Sequence, residues 1–297
     1  MPSKMQPQNR PRLVSCINLW TFLQHPYTAS PRIGWSKISA LLEQHEITAV
    51  SWLANRTNGF KEWIGQQDYQ YGGLFDYGKG DCAESKLSEI LDIGNGPINC
   101  QLGDHDTSTE EALELTLEVM TAAEKLGANV HIEAHRDTAT ETPEKMDALI
   151  DAYRNACAKD LKVNYDYSHP ASLKHLLAKD YSRRLITRPD YLQASDLIHL
   201  RPFNGHHCQI AVTDSQGAIT PECLNYLSFV GDVFDCWLAG EHTAGRTLWV
   251  VPELGPADNL GYCLSSFPNP ESDVFVLNKA IHSIWDKCIK HAANLTN

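Results

Sequence analysis

What this 297-residue chain lacks narrows its class before any motif is read. Its nine cysteines, at 16, 82, 100, 157, 208, 223, 236, 263 and 288, form no Cys-x-x-Cys pair. An odd number of unclustered thiols suits a reducing compartment better than a disulfide framework. No apolar run approaches the roughly 18 residues of a membrane span. Residues 1–12 (MPSKMQPQNRPR) are polar and Pro-rich, without the apolar stretch of a secretion signal. The expectation is a cytoplasmic protein with 1–11 as a loose N-terminal arm. A basic surplus is missing too: 25 Lys and Arg stand against 37 Asp and Glu, a net charge of −12. That balance argues against a nucleic-acid partner, because phosphate binding needs a basic surface. There is no Gly/Ser/Pro linker and no break in composition, so 1–297 reads as one domain.

What is present is an alternation of short apolar runs with longer helical ones, the pattern of repeated βα units around a parallel sheet. Strands are expected at 12–19, 47–53, 97–102, 129–134, 162–167, 196–201 and 247–253. Thr107-Ser108-Thr109-Glu110 fits a capping box for a helix running to Leu126, with Leu113, Leu117, Met120 and Ala123 on one face and a stop at Gly127. A second helix runs from Pro143 to about Ala158, with Thr142 as N-cap. The length suits a (β/α)8 TIM barrel, and the absence of GxGxxG and GxxxxGK[ST] turns disfavours an open doubly wound sheet. Seven strands are found where eight are needed. The aromatic- and glycine-containing segment 55–97 therefore hides a degenerate βα unit or lacks one, and its aromatics at 63–77 read as packing before lid.

Five segments place metal-type ligands at the C-terminal ends of expected strands: His131-Ile132-Glu133-Ala134-His135, Asn164-Tyr165-Asp166-Tyr167-Ser168-His169, Ile198-His199-Leu200-Arg201, Asn204-Gly205-His206-His207 and Val251-Pro252-Glu253-Leu254-Gly255-Pro256. Residues two apart on a strand share a face, so Glu133 with His135, His199 with Arg201, and Trp249 with Val251 and Glu253 point the same way. Three carboxylates in one barrel mouth repel one another and resist burial, and a divalent cation compensates both effects. Glu, Asp, His and Glu form an oxygen-rich set for one hard cation: Mn²⁺ first, with Mg²⁺, Co²⁺ or Zn²⁺ as alternatives. At this level His206 or His207 competes with His199 for the imidazole place.

The order Glu, Asp-x-x-His, His-x-Arg, Glu over roughly 98–256 resembles the xylose-isomerase-like TIM-barrel superfamily. Glu133-Ala134-His135-Arg136 followed by Thr140, and the run LWVVPELGP at 248–256, look most like its sugar phosphate isomerase/epimerase-like branch. The resemblance implies Glu133, Asp166, His199 and Glu253 as metal ligands, His169 on a substrate oxygen and Arg201 on a hydroxyl or anionic group. It also implies Glu133 and Glu253 as the catalytic carboxylates, exchanging a proton beside the sugar carbonyl through an enediolate. His135, His207, His105 and Trp20 complete the expected substrate-binding set. Arg201, Arg136 and Arg246 are the candidates for an anion contact.

One departure is the run after His199, His199-Leu200-Arg201-Pro202-Phe203-Asn204, where epimerases of the superfamily follow their His with an acidic residue. The expected function is a metal-dependent sugar or sugar-phosphate isomerase or epimerase taking a small carbohydrate, with no nucleic-acid or membrane partner and room for a homo-oligomer. Its rivals are a metal-dependent sugar lyase or hydratase and a non-catalytic metabolite-binding barrel.

Overall fold

The computed structural model describes residues 10–23, 30–241, 243–256 and 270–295. Eight parallel strands, β1 (Arg12–Asn18), β2 (Ala49–Leu53), β3 (Gln70–Tyr77), β4 (Ile98–Leu102), β5 (Val130–Ala134), β6 (Val163–Tyr165), β7 (Leu197–Leu200) and β8 (Thr247–Pro252), form one sheet. The helices are α1 (Trp35–Gln44), α2 (Phe60–Ile64), α3 (Ala83–Leu91), α4 (Thr109–Leu126), α5 (Pro143–Cys157), α6 (Ser168–Leu173), α7 (Tyr181–Leu185), α8 (Pro189–Ala194), α9 (Pro221–Leu238) and α10 (Pro270–Leu295). From β1 to β6 each strand pairs in parallel with the next, and β1 pairs with β8 and β8 with β7, so the sheet curls back on itself as a (β/α)8 barrel whose ends are β6 and β7. Among the described residues no helix is long and apolar enough to cross a membrane.

The seven expected strands are all present, one to three residues shorter than the sequence suggested. The eighth is β3, so segment 55–97 is not degenerate: it holds α2, a full eight-residue strand and α3. Its period was masked by Gly72 and Gly73, residues that weaken a strand in isolation. Tertiary contacts explain them. A Cβ on Gly73 would stand 2.4 Å from Ile90 Cγ2 of α3, and one on Gly72 3.2 Å from Cys16 Sγ. The aromatics Trp63, Tyr71, Phe75 and Tyr77 of that segment are core residues.

Two corrections concern α4. Its capping box joins Ser108 to Glu111, one residue later than expected, while Thr107 is hydrogen-bonded to Asp104. Its buried face is Ala112, Thr116, Val119, Ala122 and Ala123, with Leu113, Leu117 and Met120 on the flank. α5 starts as expected, with Thr142 Oγ1 accepting from Lys145 N and Pro143 in the first turn. The expected arm 1–11 lies, except for Arg10 and Pro11, outside the described residues.

Inside the barrel, Cys16, Ala49, Leu197 and Val251, flanked by Val14 and Trp249, make an apolar plug. Trp249 and Val251 thus fill the interior below the mouth, and of that expected trio only Glu253 reaches it. Outside, Trp237 of α9 is fully buried, donates from Nε1 to Ser195 O at 2.8 Å and packs on Trp285 of α10. Trp237→Ala is expected to lower stability by about 3–5 kcal/mol, read as a shift of the urea unfolding midpoint; a loss below about 1 kcal/mol would mean that the α9–α10 layer closes over the gap.

Candidate metal centre

Because all eight strands run the same way, their C-terminal ends meet at one mouth, and four of them bring their ends to one point. Glu133 on β5, Asp166 just after β6, His199 on β7 and Glu253 just after β8 each present a ligand atom, and these atoms lie within 4.8 Å of one another. All four residues are buried, none more than 7% exposed. His199 Nδ1 stands 2.8 Å from Glu133 Oε1 and 3.0 Å from Glu253 Oε2. These are ion-pair distances, yet none of the contacts has the geometry of a hydrogen bond.

Each carboxylate has one oxygen anchored and one turned to the common point. Glu133 Oε2 accepts from Asn99 Nδ2 at 2.6 Å. Glu253 Oε1 accepts from Arg201 Nη2 at 2.5 Å. Asp166 Oδ1 caps the turn by accepting from Ser168 N at 2.9 Å. The remaining oxygens, Glu133 Oε1, Asp166 Oδ2 and Glu253 Oε2, have no hydrogen-bond partner, nor do the ring nitrogens of His199. Convergent, buried and unsatisfied lone pairs on three carboxylates and one imidazole are the donor set that a divalent cation completes, so the residues fit such an ion.

Burial and neighbouring charges act on each of these groups in opposite directions. Burial pushes Glu133 up, but the neighbouring His199 imidazolium outweighs it and holds the carboxyl at about 2. Burial likewise raises Glu253, outweighed by Arg201 and then His199, and raises Asp166, outweighed by His169 and Arg201; both finish below their usual range. Burial lowers His199, but Glu133 and Glu253 win and lift it to about 10. His199, Arg201 and His169 thus offset three carboxylates in a low-dielectric mouth, and a bound cation would take the place of the His199 proton.

The other expected residues fall into two groups. His135 and Trp20 line a cavity of about 200 Å³ that reaches Glu253 and is also walled by Trp52, Arg56, Asp76 and Gln101. The His135 ring, lowered to about 4 by burial and by His169, is neutral, with Nδ1 2.6 Å from Arg136 O. Trp20 sits on a short 3-10 turn after β1 and carries the Arg201 guanidinium 5.4 Å from its ring centre. His169 and Arg201 are fully enclosed and do not line this cavity: His169 Nε2 lies 3.1 Å from Asp166 Oδ2, because the Asp-x-x-His spacing on the first turn of α6 folds the ring back.

His105 is exposed at the rim, 2.6 Å from Asp137. His206 and His207 are exposed as well, their amides tied to Asn204 Oδ1 in the loop after β7. Both are turned to solvent, and the imidazole within reach of the three carboxylates is that of His199. Arg246 lies at the other end of the barrel, bonded to Gln193, Ala194, Ser195 and Asp196. Of the three anion candidates only Arg136 lines the cavity. Sequence reasoning gave no role to Asn99, Trp52, Arg56 or Asn164, although Asn164 stands two residues before Asp166; the roles of the two asparagines become visible only as cross-strand contacts.

No protein-family model and no curated protein matches the chain. Solved structures do. An L-ribulose 3-epimerase superposes with a TM-score of 0.63 at 10% identity, over 96% of this chain and 98% of its own. A xylose isomerase-like TIM barrel protein from Mycobacterium smegmatis, solved in complex with magnesium, gives 0.58 at 14% identity over 92% and 97%. A probable 3-DHS dehydratase from Bacillus anthracis gives 0.51 at 11% over 89% and 98%. The chain shares the TIM-barrel fold of these proteins. At these identities the likeness concerns architecture.

Arg201→Met is expected to destabilise the chelator-treated protein by about 3–5 kcal/mol, because it leaves Glu253 and Asp166 buried without their guanidinium. His105→Gln, at the exposed rim, should leave the urea midpoint unchanged. Equal midpoints for the two variants would show that the buried carboxylates do not depend on Arg201.

Proposed function

We propose that this protein is a divalent-metal-dependent isomerase or epimerase of a small carbohydrate, moving a proton at the carbon beside a carbonyl. The observation that carries the reading is the pair Glu133 and Glu253: two buried carboxylates, each with one oxygen anchored and the other directed to the same point, with Glu253 lining a cavity beside it. A divalent cation held by Glu133, Asp166, His199 and Glu253 would supply Lewis acidity toward a carbonyl and an adjacent hydroxyl. Mn²⁺ is our first choice from the donor set, with Mg²⁺, Co²⁺ and Zn²⁺ compatible. The shared fold with an L-ribulose 3-epimerase and with a magnesium-bound barrel supports this direction.

The chain's own residues then have distinct tasks. Glu133 and Glu253 accept and return the proton, their anchored oxygens limiting the swing of the free ones. Trp20 and Trp52 offer apolar faces to the C–H side of a sugar ring, while Asn18, Arg56, Asp76 and Gln101 meet its hydroxyls. His135, neutral and beside the quartet, is placed to hydrogen-bond a substrate oxygen. His169 and Arg201 act from behind, holding Asp166 and Glu253.

A second reading is a metal-dependent lyase, favoured by the fold shared with a probable 3-DHS dehydratase. It uses the same carboxylates but expels a β-leaving group where the isomerase returns the proton.

Elemental analysis of the purified protein should find about one divalent ion per chain, lost in the Glu133→Ala/Glu253→Ala double variant. Asp166→Asn should chiefly weaken metal uptake. Glu253→Gln should keep the fold and abolish exchange of a substrate C–H proton with solvent deuterium. Undiminished exchange would remove Glu253 from the proton path; release of water from the substrate would favour the lyase.

A further inference from the structure

The barrel has a seam. In spatial order the strands run β6-β5-β4-β3-β2-β1-β8-β7, so among the described residues no main-chain ladder joins β6 to β7. Side chains close the gap. Ser195 Oγ donates to Val163 O at 2.5 Å, and His199 N donates to Asn164 Oδ1 at 2.8 Å. Asn164 then continues inward: its Nδ2 donates to Asn99 Oδ1 at 2.7 Å, and Asn99 Nδ2 donates to Glu133 Oε2 at 2.6 Å. Both asparagines are buried, at most 1% exposed.

The direction of this relay is imposed by a group that cannot reverse. A main-chain N–H only donates, so His199 N forces Asn164 to present its oxygen to β7. Its amide nitrogen must then face Asn99, which presents its oxygen in return and its own nitrogen to Glu133. Flipping either amide would set donor against donor or oxygen against carboxylate in a buried site, where an unmade hydrogen bond is costly.

We propose that Asn164 and Asn99 are positioning residues that couple the barrel seam to the metal quartet. One backbone amide of β7 fixes, through two side chains, which oxygen of Glu133 is held and which is presented, while the same amide sets the height of His199. The inference rests on the quartet being a metal site. It concerns two residues that do not touch the quartet's common point and assigns them a role distinct from packing.

The test is Mn²⁺ affinity by calorimetry, with thermal unfolding of the chelator-treated forms in parallel. Asn99→Ala removes the donor to Glu133. Asn164→Asp keeps the acceptor for His199 N but removes the donor to Asn99, so the seam is retained and the relay is cut. Ser195→Ala loosens the seam without touching the relay.

The relay variants should bind Mn²⁺ about tenfold or more weakly, the size of effect expected for groups that orient a metal ligand. Ser195→Ala should stay within about twofold of wild type even as its unfolding temperature falls. Either relay variant carries the test if the other does not fold. Wild-type affinity in the relay variants, or an equal loss in Ser195→Ala, would overturn the proposal. Absence of Mn²⁺ uptake by the wild type would overturn the metal reading and the relay's role with it, a result seen before any variant is compared.

Discussion

Three carboxylates buried within reach of one another are the constraint that organises the mouth of this barrel. Taking a single carboxylate out of water is costly, and three together add mutual repulsion. The structure answers with charge and with hydrogen bonds. His199 lies between Glu133 and Glu253, Arg201 lies against Glu253 and near Asp166, and His169 backs Asp166. His199 and Arg201 come from β7 and the residue after it, so Glu133 of β5 and Glu253 after β8 depend on another strand, while Asp166 is backed by His169 of its own βα unit.

The two glutamates look equivalent as ligands but are held differently. A neutral amide anchors Glu133 and a guanidinium anchors Glu253. Both bonds reach an ionised carboxylate, but only Arg201 brings a second charge, so Glu253 is bound more tightly to its partner, while Glu133 owes its orientation to the directionality of the asparagine pair. Below both, the plug of Cys16, Ala49, Leu197 and Val251 keeps the interior apolar and confines access to the cavity at the mouth. The proton transfer we propose would benefit from that confinement, because fixed protein dipoles replace mobile water around a developing charge.

Much of the architecture was legible in the sequence where local rules and tertiary needs agree. Strands such as 129–134 and 247–253 are apolar because both of their faces are covered, and α5 announces itself through Thr142 and Pro143. The failures have physical causes. β3 was overlooked because Gly72 and Gly73 answer to Cys16 of β1 and Ile90 of α3, contacts that no local pattern shows. The capping box of α4 slipped by one because Thr107, Ser108 and Thr109 are equally able to cap, and only the hydrogen bond of Thr107 to Asp104 removes it from the choice. His105 and His207 sit beside motif-like neighbours, yet the loops that carry them turn to solvent.

The sequence by itself determined the donor types, their order and their places at strand ends, since parallel strands with covered faces must bring those ends to one mouth. It determined as well that three carboxylates there require compensation. Only the tertiary structure decided that His199 and not His206 or His207 faces them, that Arg201 and His169 stand behind the carboxylates, and that Asn99 and Asn164 join β4, β5, β6 and β7 through one directed chain of hydrogen bonds. Those outcomes depend on cross-strand register and on the course of loops, and neither is written in the local pattern of residues.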